Sequence, residues 1–251
     1  MKTGKTTTSG KKSKKEKDFD EIGKRSIKQF SNLIKAIPIE KQAARAKREV
    51  WQKRFRDNEA VFDFLFPNDE IVISREDILA QTDPLRKIVM TLVWGYPTGG
   101  RGDHIKNILS DLSYLRNVLS EEQGKNLSKD ELFDLIKNLE KVTELGQSTW
   151  SKLLYFFEIK VEGKRCQIFD LKIIDSLNSP QFKELVEFNK KRGISTWKQD
   201  TKGENKKKPN YIQFMNLLSN LTDAIGFDSD DNYKLEKVEN FLFHYNLNFK
   251  F

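Results

Sequence analysis

The chain of 251 residues has one cysteine, two histidines and no long apolar run. Each scarcity excludes a class of protein. Cys166 alone cannot close an internal disulfide, nor can it supply a four-cysteine zinc or iron–sulfur site. His104 and His244 are too few for a histidine-rich metal centre, so no metal and no cofactor are expected. No stretch approaches the ~18 apolar residues of a membrane span. The basic start, MKTGKTTTSGKKSKKEK, runs into no apolar segment of the secretory kind. These absences predict a soluble cytoplasmic protein, a monomer with no membrane partner. What is present is a core-forming composition: 37% hydrophobic residues, with 18 Phe and 4 Trp, exclude wholesale disorder.

The formal charge of +8 suggests an acidic partner such as nucleic acid. It is unevenly placed. Residues 1–18 carry seven Lys against Glu16 and Asp18, a net of +5. Residues 190–208, KKRGISTWKQDTKGENKKK, carry eight basic and two acidic side chains, a net of +6. Everything else is slightly acidic, at −3. The body is therefore not generally basic.

Residues 1–18 have almost no apolar side chains to offset their ordering entropy, and read as a disordered basic tail. From Ile22 to Phe66 apolar residues recur at helical spacing, with Ile37-Pro38 separating two helices and 40–57 forming a charged, solvated face. Ser74 and Asp77 make a capping box for a short helix. Asp83-Pro84 opens the apolar helix LRKIVMTLVWGY, ended by Pro97. TGGRG (98–102) is a loop, and 104–119 an amphipathic helix. Ser128 and Glu131 form a second capping box, opening a helix to about Val142, and after ELGQS comes the apolar helix TWSKLLYFFEI (149–159). IKVEGKRCQIFD alternates about Glu162-Gly163 and predicts a short β-hairpin near 159–169. Helices near 171–177, 180–191, 211–225 and 233–245 complete a mainly α chain. Its division is the tail 1–18 and a helical domain 19–251, the latter an N-terminal extension (19–83) and a core (84–251) with a hairpin at 143–151.

Three stretches invite a chemical reading. GGRG (99–102) offers consecutive amides to an anion, but lacks the Gly-Lys-Ser/Thr of a nucleotide-binding loop and reads equally as a tight connection carrying Arg101 and His104. The segment 190–208 interleaves Trp197 with Arg192 and Lys198, a composition suited to a nucleic-acid backbone or to a solvated loop. In LGQSTWSKLLYFFEIKVEGKRCQIFDLKII (145–174), Lys152 sits in the first turn of an apolar helix. The helix dipole and burial against Trp150, Leu153 and Phe156 there disfavour a protonated amine, a condition for nucleophilic catalysis. Eighteen residues on, Asp170 precedes another helix. The plain alternatives are a surface lysine and an N-cap.

This block resembles the helix-hairpin-helix DNA glycosylase superfamily, in its bacterial branch with an 8-oxoguanine-glycosylase fold. LGQSTWSK resembles the hairpin and the helix bearing the nucleophilic lysine; QIFD resembles the apolar-apolar-Asp context of the carboxylate. VMTLVWGYPTGGRG resembles the helix and loop that approach the flipped base, and KLEKVENFLF the closing helix. The likeness spans roughly 85–245. It departs at Gln147-Ser148, where a typical hairpin has a second glycine.

The resemblance implies a two-lobed helical bundle and a DNA N-glycosylase, with β-lyase activity, that flips out and excises a damaged or modified base from double-stranded DNA. Lys152 would attack the anomeric carbon and form a Schiff base, and Asp170 would stabilise charge on the sugar or deprotonate Lys152. Gly146, Gln147, Ser148 and Thr149 would present the hairpin to phosphate. Arg101 and His104 would fill the vacated duplex position or contact the opposite base; Lys190, Lys191, Arg192 and Lys198 would follow the backbone. Trp94, Tyr96 and Phe156 are candidates to stack on the base, each also readable as core. Such an enzyme would lie at the nucleoid, in repair or in defence against phage DNA. The rivals are a catalytically inactive DNA-binding protein of the same fold and a helical adaptor.

Overall fold

The computed structural model describes residues 25–55, 59–179, 182–200 and 209–248. The expected tail 1–18 and the lysines of 201–208 lie outside them. The described chain is mainly α, as its periodicity predicts.

The N-terminal part departs from expectation. The first helix is short, a 3-10 turn at Ile27–Phe30 followed by α1 (Ser31–Lys35), and Ile37-Pro38 leads to a second 3-10 turn at Ile39–Lys41. Within 40–57, expected to be helical, the chain instead runs as β1 (Ala43–Lys47), antiparallel to β2 (Glu70–Ser74), with Ala46 opposite Ile71 and Ala44 opposite Ile73. Ala, Arg and Lys are strong helix formers, but the β-branched Ile71-Val72-Ile73 supplies a partner strand, and pairing overrides propensity. Between the strands lie α2 (Arg48–Gln52) and α3 (Glu59–Leu65).

The predicted helix starts are in place. Ser74 and Asp77 close the reciprocal box that opens α4 (Arg75–Ala80). Asp83 caps α5 (Pro84–Gly95), accepting from the Arg86 amide with Pro84 in its first turn. The stretch expected as one helix over 104–119 is broken at Asp111 into α6 (His104–Ser110) and α7 (Leu112–Glu122). Ser128 and Glu131 box the start of α8 (Lys129–Leu139).

α8 turns through 140–146 into α9 (Gln147–Phe156), whose ten residues are all buried except Ser148. A helix buried on every side belongs at the centre of the molecule, and α9 packs there against α5. The predicted hairpin follows as β4 (Lys160–Val161) and β5 (Lys164–Arg165), with a parallel third strand, β3 (Asn126–Leu127), on the far side of β4. Glu162 and Gly163 both have positive φ, 50° and 80°, as a two-residue type I′ turn requires. Then come α10 (Leu171–Asn178), α11 (Lys183–Arg192), α12 (Pro209–Ile225) and α13 (Lys234–Asn248), with α13 lying on α10 and α12.

One hydrophobic core runs from Ile27 to Tyr245, unbroken at the 83/84 boundary. A buried ion pair reinforces that continuity. Arg75 Nη2 lies 2.8 Å from Glu239 Oε2 on α13, its Nε donates to Gln42 Oε1, and its guanidinium covers the Tyr155 ring. Burial pushes the Glu239 carboxyl above its ordinary range and the Arg75 charge opposes that shift. Among the described residues no helix is long and apolar enough to cross a membrane.

Candidate active site

Lys152 and Asp170 meet. Nζ of Lys152 is 3.7 Å from Oδ2 of Asp170, and the two side chains are 6% and 15% exposed. Because α9 begins at Gln147 rather than at Thr149, Lys152 lies in its second turn, not the first as expected. Helical side chains lean toward the amino end. The Lys152 chain accordingly reaches back one turn, where Nζ donates to the Ser148 carbonyl at 2.9 Å and to Ser148 Oγ at 3.0 Å.

Asp170 is held from two sides. As N-cap of α10 its Oδ1 accepts from the amides of Lys172 and Ile173, at 3.1 and 3.3 Å, leaving Oδ2 toward Lys152. The N-cap reading and the carboxylate reading are thus one geometry. Upstream, the Phe169 amide donates to Ser151 Oγ on α9, and the Phe169 ring stacks on Phe214 with centroids 4.4 Å apart. The segment leading to Asp170 is therefore fastened to the helix bearing Lys152.

Gly95 makes room for the lysine. A Cβ there would lie 2.9 Å from Lys152 Cδ and 3.2 Å from Cε. The glycine in WGY was the available signal, and periodicity could not have interpreted it. Tyr96, half-buried, has its ring 5.7 Å from Lys152 Nζ, its hydroxyl bonded to Thr149 Oγ1 at 2.6 Å and its ring against His104. Of the three aromatic candidates it alone faces the amine. Phe156 is fully buried, edge-on to Trp94 and Tyr155, and is a core residue. Trp94 is half-buried, with Nε1 on the Gln42 carbonyl and the Arg75 guanidinium over its ring.

The turn before α9 divides in two. Gly146 is exposed and Ser148 half-buried; the Gly146 and Thr149 amides are bonded within the turn, to the Glu144 and Gly146 carbonyls, both at 2.9 Å. Gln147 and Thr149 are buried and engaged elsewhere. Gln147 exchanges two hydrogen bonds with Asp200, Nε2 to Oδ2 at 3.3 Å and the Asp200 amide to Oε1 at 2.6 Å. Asp200 also accepts from the amides of Asn210 and Tyr211 at the start of α12. The residue standing in place of a second glycine is thus a structural clasp, and its side chain is not offered to phosphate.

That clasp brings Lys198, two residues before Asp200, beside the hairpin. Lys190, Lys191, Arg192 and Lys198 are exposed. Trp197 among them is not free to stack: it is 2% exposed, its Nε1 donates to Asn189 Oδ1 at 3.0 Å, and its backbone amide and carbonyl are both bonded to Asn178. Arg101 is exposed at the tip of the glycine loop, which Arg54 grips through the Gly102 carbonyl. His104 ties the loop to the hairpin, Nε2 to the Glu144 carbonyl at 3.1 Å.

Burial pushes the Cys166 thiol up to about 12, with only partial relief from Tyr211, so it stays protonated. Among the described residues no group of three or more His, Cys, Asp or Glu side chains is arranged to hold a metal ion.

A buried amine, a capped carboxylate 3.7 Å from it and the amino end of α9 thus come together in one place. Residues 37–243 match the family described as "Putative 8-oxoguanine DNA glycosylase OGG-like protein", and the chain belongs to that family. The match includes residues 37–83, read from sequence as an extension. No curated protein and no solved structure matches the chain.

Proposed function

We propose that the protein is a DNA N-glycosylase with associated lyase activity, using Lys152 as nucleophile and Asp170 as its carboxylate partner. The observation that carries the reading is the 3.7 Å approach of Lys152 Nζ to Asp170 Oδ2, with both side chains largely withdrawn from solvent. An ammonium is not a nucleophile. Transfer of one proton to Asp170 Oδ2 leaves a neutral amine and a neutral acid.

The amine attacks C1′ of an extruded nucleotide; the C1′–N bond breaks and the base departs with the electron pair, taking a proton. Opening of the C1′–O4′ bond, with loss of a second proton from nitrogen to the alkoxide, leaves a Schiff base. Abstraction of a C2′ proton then expels the 3′-phosphate by β-elimination. An extruded nucleotide is required because C1′ is inaccessible within the stacked duplex. The hairpin amides hold a phosphate without reading sequence, while Lys198 and the cluster Lys190, Lys191 and Arg192 add salt-dependent affinity. Tyr96, whose ring lies 5.7 Å from the amine, would be the ring that meets the extruded base.

The test is borohydride trapping on a panel of duplexes containing oxidised guanine, hydroxymethylated or glucosylated cytosine, or an abasic site. Wild-type protein is expected to form a covalent adduct with at least one, and Lys152→Gln to form none while still binding the duplex. Adduct formation that persists in Lys152→Gln would overturn the assignment.

A further inference from the structure

We propose that Ser148 is the positioning residue that aims the Lys152 amine; this rests on the reading of Lys152 as nucleophile. A lysine ammonium has three N–H bonds and no acceptor. Two have partners on one residue, the Ser148 carbonyl at 2.9 Å and Ser148 Oγ at 3.0 Å. The acceptor left for the third is Asp170 Oδ2 at 3.7 Å. When the third proton moves to the carboxylate, the lone pair takes the direction that bond had. With the other two N–H bonds still held by Ser148, it cannot swing back over the helix. It points to the side of Asp170, where the sugar must lie if that carboxylate is to stabilise it.

The carbonyl is present whatever residue occupies position 148, but the hydroxyl is specific to serine. The spacing fits its use: residues four apart in a helix share a face, and a lysine leaning toward the amino end lays its tip on the residue one turn back. Ser151 reinforces the arrangement, its Oγ donating to the same carbonyl at 3.4 Å while accepting from the Phe169 amide that precedes Asp170. A chain of two serines thus connects the amine's seat to the segment that carries the carboxylate. The hydroxyl has a competing use, a direct bond to DNA phosphate at the helix amino end, and the two uses separate kinetically. An aiming hydroxyl affects the rate at saturation. A phosphate contact affects affinity.

The experiment compares wild type, Ser148→Ala and Ser148→Thr on a duplex with a single abasic site. It reads the single-turnover borohydride-trapping rate at saturating protein, the dissociation constant by fluorescence anisotropy and the thermal midpoint. Ser148→Ala is expected to slow trapping about 10- to 100-fold, the scale of a misaligned reacting group, with affinity within about twofold of wild type. Ser148→Thr, which restores a hydroxyl, is expected to recover most of the rate. An Ala variant that traps at the wild-type rate, or that loses affinity with its saturated rate intact, overturns the proposal while leaving Lys152 as nucleophile. A slow Ala variant without recovery in a folded Thr variant also overturns it. Absence of trapping by wild type, or its persistence in Lys152→Gln, overturns both readings together.

Discussion

Gly95→Ala separates the fate of the site from the fate of the fold. The new Cβ would stand 2.9 Å from Lys152 Cδ and 3.2 Å from Cε. Carbon–carbon contacts are comfortable at ~3.5–4.0 Å, so the lysine chain must retreat by about 0.6–1 Å. Little resists this in the fold, because the displaced atoms are the far end of a flexible chain. Alanine is also the better helix former by ~1 kcal/mol, and Gly95 is the last residue of α5. Stability is therefore expected to be unchanged or slightly higher. The amine is another matter. Retreat of Cδ and Cε carries Nζ with them, and its bonds of 2.9 and 3.0 Å to Ser148 cannot both survive. Misplacing a reacting group by ~1 Å costs on the order of 100-fold in rate, or ~2.7 kcal/mol in barrier. Single-turnover trapping on an abasic-site duplex measures the rate, and thermal denaturation measures the fold. Wild-type trapping with an unchanged midpoint would refute the claim that the lysine's seat sets the rate. Parallel loss of rate and midpoint would refute the claim that the glycine serves the site rather than the core.

Trp197→Ala is expected to lose ~3–5 kcal/mol of stability, the range for a fully buried aromatic, read by urea denaturation; a loss below ~1 kcal/mol would contradict its place in the core. Glu236 on α13 is nearly fully buried, and burial raises its carboxyl above the ordinary 4.5, opposed by a bond from its own backbone amide and by Arg165 and Arg75. The folded state thus holds that proton more tightly than the unfolded chain. The stability so gained is full below 4.5 and lost as pH rises through the raised folded value. Glu236→Gln removes this dependence, so wild type should lose ground to the variant between acidic and neutral pH; a difference that stays constant across urea denaturations at those pH values would exclude it.

Capping is the part of the fold most legible in sequence. Ser74 with Asp77, Asp83 with Pro84 and Ser128 with Glu131 each start a helix through bonds to neighbours three residues away, so nothing distant is needed to recognise them. The Glu162-Gly163 turn is local in the same sense. β1 was not legible, because Ala43–Lys47 has no strand signal of its own and acquires one only opposite Ile71-Val72-Ile73. Trp197 misled for a related reason. Flanked by Arg192 and Lys198 it reads as a nucleic-acid contact, whereas Asn178 and Asn189, from two other segments, draw it inward. Gln147 read as part of a phosphate-binding hairpin until Asp200, 53 residues on, proved to occupy its amide.

By itself the sequence determined which side chains were available for chemistry. It held one cysteine, two histidines, an amine in an apolar helix and a carboxylate at a helix start, and resemblance joined the last two. Their distance, the room that Gly95 leaves and the hold of Ser148 were decided by tertiary structure alone. Composition and spacing describe a chain in one dimension, whereas a reactive amine is defined by which atoms lie within about 3–4 Å of it. Those atoms come from the end of α5, the first turn of α9 and the cap of α10, brought together by packing around a shared core.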